Sequence, residues 1–190
     1  MNSLPETGQA ARRTSPFAPE AVQAIAERRG WLESGGASAD QDSAAEDRQQ
    51  WLAEAAQLLG VQSADEAALE ALLERIFQYD ARENLARAEN QAVMAREGAR
   101  QVLRELASLV LDSGEIGSDQ YKEIVAALKE RTGRRGQELF HPVRLALAGQ
   151  AGEGGFDRVI LLLDSAARLS WSVPVKNCRA RVLEFCAAID

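Results

Sequence analysis

Histidine and cysteine are scarce in this 190-residue sequence, and their scarcity limits the chemistry it can carry. It contains one histidine, His141, and two cysteines, Cys178 and Cys186. The cysteines lie eight residues apart in a segment with helical periodicity, which separates them by roughly 12 Å, too far for a disulfide. One histidine and two poorly spaced cysteines form no common zinc-binding pattern. We therefore predict reduced cysteines and no bound metal.

Signatures of catalysis and of cofactor binding are also missing. No serine lies in a GxSxG sequence, no GxxxxGK[ST] phosphate loop occurs, and no GxGxxG follows a strand. The glycine-containing stretch 149–155 could offer backbone N–H groups to a phosphate, but Glu153 and Asp157 would repel an anion there. We interpret that stretch as a flexible turn. The sequence predicts no cofactor and no enzymatic activity.

Long apolar runs are absent as well. No uninterrupted stretch of about 18 apolar residues exists, and the N-terminus lacks the apolar segment of a secretory signal. We therefore expect a cytoplasmic protein with no membrane association. Hydrophobic residues make up 46% of the chain, which is enough for one ordinary core or two small packed lobes.

Charge is distributed unevenly along the chain, whose net charge is −7. Residues 121–181 contain eleven basic and six acidic residues, so the rest of the chain is strongly acidic. The net negative charge argues against nucleic-acid binding, because phosphate contacts are made by lysine and arginine. The basic C-terminal part permits such binding, and a solvated surface of mixed charge is the alternative interpretation.

Helical periodicity dominates the remaining sequence. Apolar residues recur at helical spacing, whereas hairpin turn signals and sustained period-two runs are missing. The pattern predicts helices near 19–30, 43–60, 63–77, 81–111, 118–133, 142–147, 156–163 and 172–189. Ser63 is expected to cap the third of these helices and Pro142 to begin the sixth. We predict an all-α fold, a multi-helix bundle in two small helical lobes.

The same pattern suggests a domain organisation. Residues 1–16 are polar and are predicted to form a flexible tail, and residues 17–42 a short helix and a linker. Residues 43–114 are predicted to form one helical lobe. Residues 115–190 are predicted to form a C-terminal helical lobe that contains the basic part of the chain.

Two motifs in the C-terminal lobe follow one another in a specific order. A basic turn, Thr132-Gly133-Arg134-Arg135-Gly136, precedes the motif His141-Pro142-Val143-Arg144-Leu145-Ala146-Leu147-Ala148-Gly149. With the helices around them, residues 121–169 resemble the C-terminal anticodon-binding domain of bacterial glutamyl-tRNA synthetases. That family has a helix, a Gly-Lys-rich turn, a Pro-hydrophobic-Arg-x-Ala-Leu-Thr-Gly motif and a helix in a Leu-rich run. A weaker similarity covers the segment from Phe77 to Leu111.

The resemblance implies a fold of the anticodon-binding type and tRNA as the partner. In the family the motif arginine and the turn after it face the anticodon stem-loop, which implies roles for Arg144 and for Phe156. With tRNA as the ligand, we also expect Arg134, Arg135 and Arg158 to contact phosphates. The ATP-binding signatures of the synthetases include a His-x-Gly-His motif, which this chain with its single histidine lacks. The resemblance therefore implies no aminoacylation by this chain.

A second interpretation keeps the fold without the RNA. Ala148 replaces the family's motif threonine, and Glu153-Gly154 replaces the pair that opens the family's next helix. In this interpretation the chain is a helical protein–protein interaction or adaptor module, and its contact surface is the acidic N-terminal part with the alanine-rich 81–111 segment. If the basic residues instead form only a solvated surface, Arg144 is expected to pair with Glu138 or with a neighbouring carboxylate.

Overall fold

A computed structural model describes residues 14–32, 42–152 and 155–189 of the chain. Across these ranges the chain forms ten α-helices and no strand, which confirms the predicted all-α fold. The helices are α1 (Pro19–Arg28), α2 (Asp42–Gly60), α3 (Glu66–Phe77), α4 (Ala81–Ala86), α5 (Ala88–Met94), α6 (Ala99–Asp112), α7 (Ser118–Thr132), α8 (Gln137–Ala148), α9 (Phe156–Ala167) and α10 (Cys178–Ile189). None of these helices is long and apolar enough to cross a membrane.

Some predicted features lie outside the described residues. They include most of the N-terminal tail, most of the linker between α1 and α2, and the departures Glu153 and Gly154. The division into lobes at residue 114 stays a prediction. Helix α6, which precedes residue 114, packs against α7, α8 and α10, which follow it.

Glycines and one aspartate explain several helix ends. Gly30 follows α1 with φ 70°, and Gly133 follows α7 with φ 66°, so both adopt the left-handed conformation that ends a helix. Helix α3 begins differently from the prediction, because Asp65 Oδ1, and not Ser63, accepts the capping hydrogen bond from Ala68 N at 2.8 Å. The Ser63 hydroxyl instead donates to the carbonyl of Leu59 at 3.0 Å.

The single long helix predicted over 81–111 is three helices in the structure. The chain is extended at Arg87, with ψ 132°, and left-handed at Gly98, with φ 83°. At the first break the Asn90 side chain donates to the carbonyl of Asn84 at 2.8 Å, in place of a helical backbone donor. An apolar stripe alone does not reveal this competition between a side chain and the backbone.

Two other helices begin at different residues than predicted. Helix α8 begins at Gln137, so Pro142 lies inside the helix and not at its start. Helix α10 begins at Cys178, several residues after Ser172 and Pro174. Its first turn is capped by Asn177, whose Oδ1 accepts from the backbone N of Ala180 at 2.8 Å.

Helix α8 occupies the centre of the fold. It packs against α5, α6, α9 and α10, and Leu139, Val143, Leu145 and Leu147 are at most 1% exposed. Buried apolar residues from α1 through α10 form one continuous cluster around it. Because α8 packs against four other helices, a change in its position would disturb much of the core.

Aromatic residues join the N-terminal helices to the segment after α9. Trp31 stacks on Phe77 with a centroid distance of 4.5 Å, and Trp171 contacts Phe77 edge-on at 4.9 Å. Trp51 meets Trp171 at 5.0 Å, and its indole N–H donates to the carbonyl of Leu162. We call Trp31, Trp51, Phe77 and Trp171 the aromatic cluster. Its edge-to-face contacts each contribute about 0.5–1.5 kcal/mol beyond the area they bury.

A fully buried arginine joins α3, α8 and α10. Arg181 is 0% exposed, and its guanidinium donates to the carbonyls of Arg75 and Leu147 at 2.7 Å and of Ile76 at 2.6 Å. Its Nε donates to the carbonyl of Lys176 at 2.9 Å. Burial lowers the pKa of Arg181 to about 10, so the side chain still carries its charge at neutral pH.

Replacement of Arg181 by leucine is expected to destabilise the fold by at least about 3 kcal/mol, because several buried carbonyl groups lose their donor at once. Arg179→Leu is the matched control, since Arg179 is exposed on the same helix, and it should change stability by no more than about 0.5 kcal/mol. Urea unfolding followed by circular dichroism measures both. Equal losses in the two variants would contradict the structural role of Arg181.

Candidate nucleic-acid interface

The turn between α8 and α9 carries the end of the motif that sequence analysis identified. Helix α8 ends at Gly149, which is left-handed with φ 75° and donates its N–H to the carbonyl of Leu145. A Cβ atom on Gly149 would lie 2.5 Å from Asn84 Nδ2, which is closer than real contacts allow. Glycine is therefore required here both by the backbone conformation and by the packing of α4 on the turn.

Arg144 fastens this turn to the start of α9. Its Nε and Nη2 donate to the two carboxylate oxygens of Asp157 at 3.0 and 2.5 Å, and its Nη1 donates to the carbonyl of Gly152 at 2.6 Å. The Arg144 side chain is 17% exposed, and its guanidinium lies over the ring of Phe140 at 5.3 Å. These contacts join α8, the turn and α9 in one arrangement.

Tyr121 on α7 adds a third connection to the same carboxylate. Its hydroxyl donates to Asp157 Oδ1 at 2.9 Å. Burial, followed by the nearby charge of Asp157, raises the pKa of Tyr121, so the hydroxyl keeps its proton and remains a donor at neutral pH. Asp157 also lies in the first turn of α9, where the helix dipole favours a negative charge. The Asp157 carboxylate therefore holds the turn in place by binding both Arg144 and Tyr121.

Phe156 lies beside a shallow cavity of about 250 Å³ between α3 and the turn. Leu72 closes one side, next to Gly155 at the start of α9. The cavity is lined by Gln62, Ala68, Ala71, Leu72, Arg75, Gln150 and Phe156. Its lining residues thus include one aromatic, two glutamines and one arginine. We call it the Phe156 cavity.

The basic turn after α7 lies at the other end of α8. Arg134 lies over Gly98, where a Cβ atom would be 2.7 Å from Arg134 Nε, and it contacts Glu97 and Glu138 at 3.4 and 3.3 Å. Arg135 is exposed, and no hydrogen bond or ion pair of its side chain is seen within the described part of the chain. This turn is thus held near the start of α6.

The five residues expected to contact RNA fall into two groups. Arg144 and Phe156 lie at the α8–α9 turn with Arg158, whose Nη1 donates to the carbonyl of Leu58 at 3.0 Å. Arg134 and Arg135 lie at the start of α8. Arg144 pairs with a carboxylate, as expected if the basic residues form only a solvated surface, but the partner is Asp157 and not Glu138. The role of all five residues in RNA binding stays a prediction.

Arg75 on α3 is a candidate residue that sequence reasoning missed. It lines the Phe156 cavity and, on its other side, a second cavity of about 200 Å³ that also contains Arg87. Burial, followed by repulsion from Arg87, lowers the pKa of Arg75. The sequence does not indicate this role for Arg75, because Arg75 lies far from the motif along the chain and only the folded structure brings the two together.

No metal site is evident among the described residues, since nowhere in them do three His, Cys, Asp or Glu side chains come close enough to hold an ion. Neither cysteine forms a disulfide within the described residues; Cys178 lies in the core and Cys186 is partly buried. Burial raises the pKa of Cys178, so its thiol is an inert core group.

Comparison with known proteins identifies the class to which this arrangement of helices belongs. The family described as "Anticodon binding domain" matches residues 44–169, about two thirds of the chain. The chain therefore belongs to the anticodon-binding domain family.

The relatives of this chain are much longer proteins. It is 38% identical over 76 residues to glutamate–tRNA ligase 2 of Syntrophus aciditrophicus (strain SB), a match covering 40% of this chain and 16% of that protein. It is 39% identical over 74 residues to glutamate–tRNA ligase 1 of Maricaulis maris (strain MCS10), covering 36% and 17%. The matches thus span about a sixth of these relatives. No solved structure matches the chain significantly.

Gly149→Ala should destabilise the protein by about 2 kcal/mol or more, since it adds a steric conflict with Asn84 to the strain of a left-handed alanine. Gly133→Ala is the control, because Gly133 is also left-handed but a Cβ atom there would meet nothing within 4 Å. It should cost about 1 kcal/mol from backbone strain alone. Urea unfolding separates the two effects, and equal losses would show that the contact with Asn84 is unimportant.

The pair Arg144–Asp157 should show a coupling energy of about 1–2 kcal/mol in a double-mutant cycle of Arg144→Met and Asp157→Asn. The pair Arg131–Glu105 is the control, because Arg131 is 48% exposed whereas Arg144 is 17% exposed. Its coupling should stay below about 0.5 kcal/mol. A coupling for Arg144–Asp157 no larger than that of the control would contradict the fastening role.

Proposed function

We propose that this chain is a non-catalytic tRNA-binding module that receives the anticodon loop at the α8–α9 turn and in the Phe156 cavity. Membership of the anticodon-binding domain family and the names of the two relatives support tRNA as the ligand. The observation that carries the proposal is the lining of the Phe156 cavity, which lies directly beside the end of the family motif.

The groups in this cavity match the chemistry of an unstacked nucleobase. Single-stranded loops are recognised by aromatic rings or arginine planes on which bases stack, and by polar groups that bond to the base edges. Among the residues that line the cavity, Phe156 carries a ring, Arg75 a guanidinium, and Gln62 and Gln150 amides that can both donate and accept. The aliphatic side chain of Leu72 closes the apolar side, so the cavity combines stacking with hydrogen bonding.

Arg144 acts in this proposal by positioning the turn and not by binding a phosphate. Its Nε, Nη1 and Nη2 already donate to Asp157 and Gly152, so a phosphate would compete with Asp157 for the same charge, and breaking a well-packed ion pair would leave the carboxylate without its partner. Arg135 is exposed and can meet a phosphate directly. Arg134 and Arg158 are partly exposed, and each keeps donor groups beyond its described bonds.

The alternative role as a protein-interaction module finds less support in the helices assigned to it. Ala88, Ala92 and Ala95 are exposed, but they lie on α5 and just after it, whereas Ala99 is buried at the start of α6. The break at Gly98 therefore prevents these alanines from forming one continuous stripe for another helix to pack on.

Phe156→Ala should weaken tRNA binding by about 1–3 kcal/mol, which is about five- to 150-fold in the dissociation constant, because one stacked base is lost. Leu183→Ala, which truncates an exposed apolar residue on α10, is the control and should bind as the wild type does. Titration of fluorescently labelled tRNA measures both. If wild-type protein binds no tRNA at low salt, the proposed function is wrong, and if Phe156→Ala binds normally, the cavity is not the site.

A further inference from the structure

The outward side of α6 carries a row of arginines. The inward side of this helix is apolar and buried, with Val102, Leu103 and Leu106 at most 1% exposed. Arg100 and Arg104 lie on the opposite side and are exposed, and Arg96 is exposed just before the helix begins. Arg100 and Arg104 lie four residues apart on α6, about 6 Å along the helix axis, whereas Arg96 precedes the left-handed break at Gly98. We call the three arginines the α6 arginine face.

The carboxylates nearest in sequence to this face form ion pairs with arginines on or just after α7. Glu97 contacts Arg134 at 3.4 Å, and Glu105 contacts Arg131 at 3.3 Å. Neither forms an ion pair with the α6 arginine face, and no other described carboxylate does so. The positive charge of this face is therefore not neutralised by an ion pair within the described ranges, although the chain as a whole is acidic.

The contacts that two of these arginines make leave their charge in place. Arg100 Nη1 donates to the backbone carbonyl of Ile189 at 3.4 Å. Arg96 Nη1 lies 3.3 Å from His141 Nδ1. Because a guanidinium can only donate, the His141 nitrogen must accept in this contact, which requires a neutral ring. Neither partner carries a compensating negative charge, so both arginines can still attract an anion.

The α6 arginine face continues from the proposed tRNA site. Asn84 and Asn90 contact Gly149 at the C-terminal end of α8, and Arg96 contacts His141 eight residues earlier. This distance along α8 is about 12 Å. The segment 84–98 thus runs beside α8 from the turn to the start of α6. Arg134, which lies over Gly98, adds a further guanidinium at that point.

We propose that the α6 arginine face binds the phosphate backbone of the RNA stem that adjoins the loop held at the α8–α9 turn. This inference rests on the proposed function. Guanidinium groups match phosphate oxygens in geometry, and a row of them without ion pairs follows a backbone without reading its sequence. In this proposal the α6 arginine face contacts phosphates of the stem, and the Phe156 cavity contacts a base of the loop.

The test compares Arg100→Gln/Arg104→Gln with wild type in tRNA titrations over a range of salt concentrations. Loss of two phosphate contacts should reduce the slope of log Kd against log salt by about 1.4–1.8. The control is Arg82→Gln/Arg179→Gln, which removes two exposed arginines from α4 and α10 and should leave the slope unchanged. Because all four side chains are exposed, both double variants should unfold at the wild-type temperature.

A slope that is the same in Arg100→Gln/Arg104→Gln as in wild type, or an equal reduction in the control, would overturn this inference and leave the proposed function standing. Phe156→Ala separates the two proposals further, because it should weaken binding without changing the slope. Wild-type protein that binds no tRNA at low salt would overturn both.

Discussion

The fold depends on the buried charge of Arg181, which forms no ion pair with a carboxylate of the described residues. Arg181 is satisfied by backbone carbonyls at the C-terminal ends of α3 and α8, together with one just before α10. Carbonyls at a helix C-terminus carry a partial negative charge, so two helix ends together offset the guanidinium. A lone cation in an apolar interior would be costly, and this arrangement exists only when all three helices are assembled. Tyr79 covers the guanidinium face at 4.5 Å, which keeps water away from it.

This constraint reaches the candidate site through the end of α8. Arg181 binds the carbonyl of Leu147, and the Tyr79 hydroxyl donates to the carbonyl of Ala146 at 2.5 Å. Both bonds hold the last turn of α8 immediately before Gly149. The turn after it is then joined to α9 by Arg144. A binding surface on a loop is more specific when rigid elements support both of its ends, and here the support comes from side chains far away in sequence.

Local pattern was enough to predict the all-α fold, most helices and the end of α7 at Gly133, because amphipathic stripes and left-handed glycines are properties of a few consecutive residues. It could not predict the break at Arg87, where the Asn90 amide donates to the carbonyls of Asn84 and of the distant motif residue Gly149, or the break at Gly98, where the backbone is left-handed beneath the Arg134 side chain. It also could not distinguish arginines by their surroundings. In sequence Arg181 belongs to the basic C-terminal part, yet it is buried, whereas the exposed arginines of α6 lie within an acidic part of the chain. Which arginines are exposed depends on tertiary packing, which periodicity does not contain.

All three tryptophans of the chain belong to the aromatic cluster, where Trp31 and Trp171 come from segments on either side of the residues matched by the family. The backbone N–H of Ser172 also donates to the carbonyl of Trp31 at 2.9 Å, so the two flanking segments meet each other. Tryptophan fluorescence of this protein therefore has one origin. When tryptophan alone is excited, its emission reports whether the flanks are docked on α2 and α3, and it does not respond to events at the α8–α9 turn unless they loosen the whole core.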